Sequence, residues 1–540
     1  MKKNKKHALI LLAGILALSF SFQSKFFEIA KQIEIYNNLF KELNINYVNE
    51  INPAELTNKA IKNTLKGLDP YTNFFTEQDV ENAKIRREGE YGGIGIAVFY
   101  DKNGITITEI YKNYVADKAG LKVGDIITKA DGQILKGLEK NQLAMVLKGS
   151  PGKKVTIEVD RLGKALTFNL TLDKIIIDTV PFYEMIDTEI GYIILSRFSQ
   201  KAAAEIKKAF ISLKDQGMKK LILDLRNNPG GSLGESINIV NFFTPKGSNV
   251  VETKGKLKKA SQIYKGHNEP LDLEIPIVVL INGHSASASE IVSGALQDYD
   301  RAVILGERSF GKGLVQRYFK LSYGTQLKAT ISKYYTPSGR CIQELDYENR
   351  NPKTGIVPKF SEGTVNSFTT KNGRTVYDGG GVTPDILINR SKQTEATKKL
   401  LKSQALFNFA TVYTSKKNAI NIDDYSFNDA DFNAFKEYLE KVDTTFLSKQ
   451  ESLFKTAYNA NKNTIISDDY EKIKLKLAKI KIANISKNKD FLVEQIQDEI
   501  IKRYHYKEGT YQYHLKHDNT IKQAINILKN KSKYNNILAK

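Results

Sequence analysis

Residues 281–290 read INGHSASASE, with three serines at alternate positions (Ser285, Ser287, Ser289) beside His284. A serine hydroxyl attacks a carbonyl only when a neighbouring base takes its proton, so the stretch asks which serine and which base. Gly283-His284-Ser285-Ala286-Ser287 misses the G-x-S-x-G nucleophile elbow at its last glycine. Ser287-Ala288-Ser289-Glu290 also satisfies the capping-box pattern, which makes Ser287 a helix N-cap and Glu290 its reciprocal partner. The two roles are compatible, because the dipole and N–H groups at a helix start favour an alkoxide there. His284 is a poor base: it lies three residues before Ser287 on the same turn, and no acid partner is evident. The remaining histidines are His7, His267 and the tail residues His505, His514 and His517, which without a companion carboxylate motif read as surface residues rather than a metal site. Lysine is the other base, provided burial lowers its pKa from ~10.4 toward ~7–8 so that the amine is neutral. SFGKG at 309–313 places Lys312 between two glycines, after the strand-like RAVILG and with no charged immediate neighbour, although composition alone would make it one more exposed lysine.

Strand ends and turns must position these groups. From about 175 to 389, apolar runs (YIILS, KLILDL, IPIVVLIN, RAVILG) alternate with helical stretches, which argues for an α/β core. Chemistry in such cores sits at strand ends, where LRNNPGG at 225–231 and INGHSAS at 281–287 lie. Before the core, Ile29, Ile33, Tyr36, Leu39, Phe40 and Leu43 recur at helical steps, interrupted later by an Asp-Pro turn in LDPYTNFF at 68–75. Between about 91 and 173 the period becomes two, with strands such as ITITEI and KVTIEVDRL and one helix near 140–147. YGGIGIAV, DKAGLKVGDIITKADGQ and KGSPGKKVTIEVDR, in that order, resemble a PDZ domain. There Gly93, Ile94 and Gly95 would present backbone N–H groups to a peptide carboxylate, and the next strand would accept the peptide as an added strand.

Composition excludes several classes. One cysteine, Cys341, permits neither an internal disulfide nor a thiolate metal cluster. The formal charge of +21 comes from 81 Lys and Arg against 60 Asp and Glu, with lysines dispersed among Asn and Ile. No arginine-rich run or aromatic-basic ladder marks a specific nucleic-acid surface. Lys2, Lys3, Lys5 and Lys6 precede an apolar run from Ala8 to Phe22, the pattern of an export segment, with cleaved signal and retained anchor both open.

Residues 282–316, NGHSASASEIVSGALQDYDRAVILGERSFGKGLVQ, resemble the tail-specific, or C-terminal processing, peptidases, a family of Ser-Lys proteases with an inserted PDZ domain. The resemblance runs from the helical arm to GGGVTPDI at 379–386 and weakens after about Ser391. It implies Ser287 as nucleophile and Lys312, 25 residues later, as base, with Gln316 orienting the amine. It also implies an oxyanion hole from the Ala288 N–H and that of either Gly230 or Gly231, with no metal or other cofactor. The expected fold is multidomain α+β. Its parts are an export signal or anchor (1–25), a helical arm (26–88), a PDZ-like β-rich domain (89–173), an α/β peptidase core (174–390) and a lysine-rich helical C-terminal region (391–540). The expected function is exported, periplasmic-type cleavage of unfolded or tail-exposed proteins, with a homodimer through the helical regions and an adaptor both left open. The rival readings are a non-catalytic PDZ scaffold at a membrane surface and a charge-driven membrane or nucleic-acid binder.

Overall fold

The computed structural model describes residues 26–539 apart from 102, 361–364, 390, 418, 442–445 and 461–466, so the export segment lies outside the described residues. Among the described residues no helix is long and apolar enough to cross a membrane. The chain is multidomain α+β and divides into two compact units.

The first unit comprises the described residues up to Glu77 together with Gln316–Thr330. A helix over 26–46 is followed by a second, Pro53–Lys66, whose N-cap Asn52 accepts from the N–H groups of Ala54 and Glu55. The Asp-Pro turn then leads into a strand, Asn73–Phe75, antiparallel to residues 326–328.

The second unit holds everything else. Its centre is a six-stranded sheet in the order Phe182–Met185, Ile190–Ile194, Lys220–Asp224, Ile277–Ile281, Val303–Gly306, Ile386–Leu387, parallel except for the first pair. Strands in such sheets are covered on both faces and read as continuous apolar runs; all five residues of IVVLI at 277–281 are buried. Helices Ala202–Asp215, Leu233–Asn241 and Ala288–Asp298 pack one face, through Ile206, Phe210, Ile239, Val292 and Leu296. The other face is covered by the end of the chain: Ile521, Ala524, Ile527, Leu528, Tyr534 and Leu538 bury Tyr192, Ile222, Val278, Leu280, Val303 and Leu305.

Residues 96–171 form the PDZ-like sheet, in the order Ile96–Asp101, Gly104–Ile110, Ile126–Ala130, Lys154–Arg161, Lys164–Thr171, with its own core of Ile105, Ile107, Ile127, Leu143, Val155 and Ile157. The helix foreseen near 140–147 is Lys140–Val146. The tail helices from Glu395–Lys402 to Lys489–His517 enclose a third core around Phe409, Phe435, Phe446, Ile485 and Ile496. The Lys489–His517 helix is broken at His505 and Tyr506, where Tyr506 takes φ 56° and reaches the PDZ-like domain, its hydroxyl 2.6 Å from Asp117 Oδ1.

Candidate active site

The Ile277–Ile281 strand ends in the serine turn, and Ser287 is the N-cap of the Ala288–Asp298 helix. Ser287 has φ 56° and ψ −112°, a backbone state that a side chain with a Cβ adopts only where its surroundings impose it. The two halves of the capping box face one another, but the Ser287 hydroxyl makes no capping hydrogen bond. Instead the Glu290 N–H goes to the Ser287 carbonyl at 2.8 Å, while the Ser287 N–H donates to Glu290 Oε2 at 2.7 Å. The Ser287 hydroxyl is thus not committed to the cap.

Its neighbours are committed. Ser285 is buried and donates to the Leu225 carbonyl at 2.8 Å; Ser289 is buried and donates to the Asn228 carbonyl at 2.9 Å. Both hold the serine turn against the LRNNPGG turn, and Asn282 adds a third tie by accepting the Asn227 N–H at 3.0 Å. His284 is exposed.

Gly230 brings these turns close. It has φ +92°, and a Cβ there would lie 2.6 Å from the Ala286 carbonyl oxygen, 2.8 Å from the Ala288 nitrogen and 2.9 Å from Ser287 Cβ. Its N–H is taken by Asn228 Oδ1 at 2.9 Å. The N–H groups of Gly231 and Ala288 have no hydrogen-bond acceptor among the described residues. For Ala288 this follows from its place in the first turn of a helix, where N–H groups lack an intrahelical acceptor.

The Lys312 loop is anchored on both sides of its peptide units. Lys312 is half-buried, and its N–H donates to Glu290 Oε2 at 2.9 Å. The buried Tyr334 hydroxyl lies 2.6 Å from the Lys312 carbonyl and 3.1 Å from that of Ser287. Residues 287 and 312, distant in sequence, therefore share two buried partners. The flanking glycines fit close packing: a Cβ on Gly311 would lie 2.6 Å from Glu344 Cβ, and the Gly313 N–H donates to Gln343 Oε1 at 2.8 Å.

Gln316 belongs to the other unit. Its Nε2 donates to Thr330 Oγ1 at 3.3 Å, and Thr330 Oγ1 donates to Asp69 Oδ1 at 3.0 Å. Asp69 in turn accepts from the N–H groups of Tyr71 and Thr72 and from the Thr72 hydroxyl. The Asp-Pro turn that reads in sequence as a helix breaker thus buttresses the Gln316 hairpin.

In the PDZ-like domain Ile96–Asp101 is an edge strand, paired on one side only, and Lys140–Val146 packs beside it. Ile94 is buried and Gly95 has φ +79°. The carbonyls of Ile94 and Gly95 accept from Ala116 and Tyr111 at 2.8 and 2.9 Å, and Gly93 pairs with Asp173.

Sequence reasoning missed the partners that join the turns: Asn228, Asn282, Tyr334, Asp69 and the second reach of Glu290. Of these Glu290 carried a signal in its capping-box position and Asp69 in its Asp-Pro turn, neither of which points to the contacts made.

Residues 189–358 match Peptidase family S41, residues 92–172 match a PDZ domain, and residues 396–528 match the C-terminal helical domain described for a probable PDZ-protease. A carboxy-terminal-processing protease of Bartonella bacilliformis is 35% identical over 321 residues, 58% of this chain and 73% of that protein. A probable CtpA-like serine protease of Staphylococcus saprophyticus is 34% identical over 318 residues, 58% of this chain and 63% of that protein, so the match spans less than two thirds of the second relative's length. Among solved structures, a photosystem II D1 C-terminal processing protease is 27% identical, with a TM-score of 0.36 over 64% of this chain and 85% of that one. The chain belongs to peptidase family S41, as a serine-type peptidase that carries a PDZ domain.

Proposed function

We propose that the protein is an exported endopeptidase which cleaves unfolded or tail-exposed proteins by acyl-enzyme chemistry, with Ser287 as nucleophile and Lys312 as base. The observation that carries the reading is the strained Ser287 at a helix start, with its peptide unit and that of Lys312 held by the same two buried side chains, Glu290 and Tyr334. The neutral Lys312 amine takes the Ser287 Oγ proton as Oγ bonds to the scissile carbonyl carbon, and the carbonyl π electrons move to oxygen. The Ala288 N–H and the N–H of Gly231 receive that oxyanion. Gly231 is preferred to Gly230 because the Gly230 N–H already serves Asn228, which makes Gly230 the spacer that lets the two turns meet. Collapse of the tetrahedral species breaks the C–N bond, Lys312 returns the proton to the leaving amine, and water deprotonated by the same lysine releases the acid. Gln316, on the strand that follows Lys312, is assigned to orient the amine.

The substrate's C-terminal tail is assigned to the PDZ-like domain, its carboxylate at Gly93, Ile94 and Gly95 and its backbone along the open edge of Ile96–Asp101. Export rests on the basic and apolar N-terminal segment. The deciding experiment is mass spectrometry of an unfolded protein with an apolar C-terminus after incubation with wild type, Ser287→Ala and Lys312→Ala. Cleavage by wild type alone is expected; cleavage by Lys312→Ala would remove the lysine from the mechanism.

A further inference from the structure

Glu290 is fully buried, yet its carboxylate accepts four hydrogen bonds. One comes from Ser287 N–H at 2.7 Å, and three come from a loop distant in sequence: the Ser309 hydroxyl at 2.6 Å, Gly311 N–H at 2.6 Å and Lys312 N–H at 2.9 Å. A helix cap requires the first alone. It does not require an acid out of water, where an ionised carboxylate is costly unless its oxygens are satisfied. The other three bonds run to the loop that bears the proposed base. Tyr334 makes the matching link on the carbonyl side of the same two residues.

We propose that Glu290 is a positioning residue, whose ionised carboxylate holds the Ser287 turn and the Lys312 loop in the register that proton transfer needs. The inference rests on the Ser287 and Lys312 reading above. Ionised, the carboxylate is an acceptor only and suits four donors; protonated, it presents a donor of its own to them, and one bond must break. Burial pushes the Glu290 carboxyl up to about 6, against the lowering effect of the four bonds. The titratable and charged groups on the surrounding elements are Arg308 and Lys312 on the loop, Glu344 against Gly311, Tyr334 on its strand, His284 on the serine turn and Asp298 at the far end of its own helix.

The test measures kcat and KM on a peptide substrate from pH 5 to 9, and separately the rate at which a fluorophosphonate labels Ser287, for wild type, Glu290→Gln and Ser309→Ala. Glu290→Gln is expected to lower kcat and labelling by roughly 10²-fold, the scale of a small misplacement of reacting groups, with KM changed by less than about threefold, since the lost interaction acts on the chemical step. Ser309→Ala, which removes one of the three donors on the loop, is expected to lower kcat and labelling at pH 9, where Lys312 is neutral, by more than about threefold with KM little changed. A Glu290→Gln enzyme within about threefold of wild type in both rates would overturn the proposal. If that variant does not fold, a Ser309→Ala enzyme within about threefold of wild type in both rates overturns it instead. If wild type neither cleaves nor labels at Ser287, the Ser-Lys reading falls and this inference with it; cleavage and labelling by wild type beside an indifferent Glu290→Gln sinks this inference alone.

Discussion

At Ser287 the chain keeps a backbone conformation that costs of order 1–3 kcal/mol for a residue with a side chain, and hydrogen bonds donated by Ser285, Ser289 and Tyr334 and one accepted by Glu290 hold the turn that contains it. Gly230 has the least tolerance for change. An alanine there meets three atoms of the serine turn at under 3 Å and must keep φ +92°. Gly230→Ala is therefore expected to lower kcat by at least tenfold and stability by roughly 1–3 kcal/mol, measured by peptide cleavage and urea unfolding. Glu290 gives a pH test. Its carboxyl pKa is raised to about 6 from 4.5, so the folded state binds the proton more tightly than the unfolded chain. The stability this group contributes is complete below about 4.5 and lost as pH rises through about 6. Between pH 7 and 5, wild type is expected to gain about 1 kcal/mol over Glu290→Gln in unfolding free energy, while its own kcat falls. A parallel loss of both quantities would show that acid acts by unfolding.

Among the elements, the Ala288–Asp298 helix is buried at every position. Its Ala, Ser and Gly residues admit the serine turn, the sheet and residues 334–336 around it, and periodicity alone would assign it only one buried face. The tail helix Lys489–His517 is the opposite case, long but broken at His505 and Tyr506, where Tyr506 packs on the PDZ core and bonds Asp117. Lys112 and Glu508, 3.3 Å apart, add an exposed pair beside it that contributes little. Tyr506→Ala is expected to speed hydrogen exchange in Val115–Lys118 and the adjoining strand Gly104–Ile110 while leaving exchange in Ile277–Ile281 unchanged. Unaltered exchange in the PDZ-like domain would mean that the contact carries no energy.

For the whole molecule, the end of the chain decides whether the peptidase sheet is a sheet with two covered faces. Ile521, Ala524, Ile527, Leu528, Tyr534 and Leu538 close the face opposite the Ala288–Asp298 helix. Arg226, in the turn before NNPGG, pairs with Asp224 and with Asp518, the N-cap of the Asn519–Lys529 helix. Ile527→Ala is expected to cost about 2–5 kcal/mol, the range for a fully buried large-to-small change, measured by thermal or urea unfolding. A chain ending at Asp518 exposes the whole apolar face and is expected not to give folded protein, since the lost burial is of order 10 kcal/mol, as large as a typical domain's stability.

The sequence by itself determined the local facts: strands from apolar runs, the PDZ-like order of glycine turns, and a serine turn and a lysine turn each placed at a strand end. These are legible because each is a pattern within a few tens of residues. It left Glu290 as a cap, because a capping box already explains that residue from four positions. It left the tail as helices without a partner, because a 3.6-residue period reveals that a face is buried and not what covers it. Only the tertiary structure decided that Glu290 and Tyr334 join residues 287 and 312, that Asp69 supports the Gln316 hairpin, and that the last helices complete the core. The physical reason is common to all three: each contact joins segments whose separation along the chain carries no local signal, and each exists only once the sheet has brought them together.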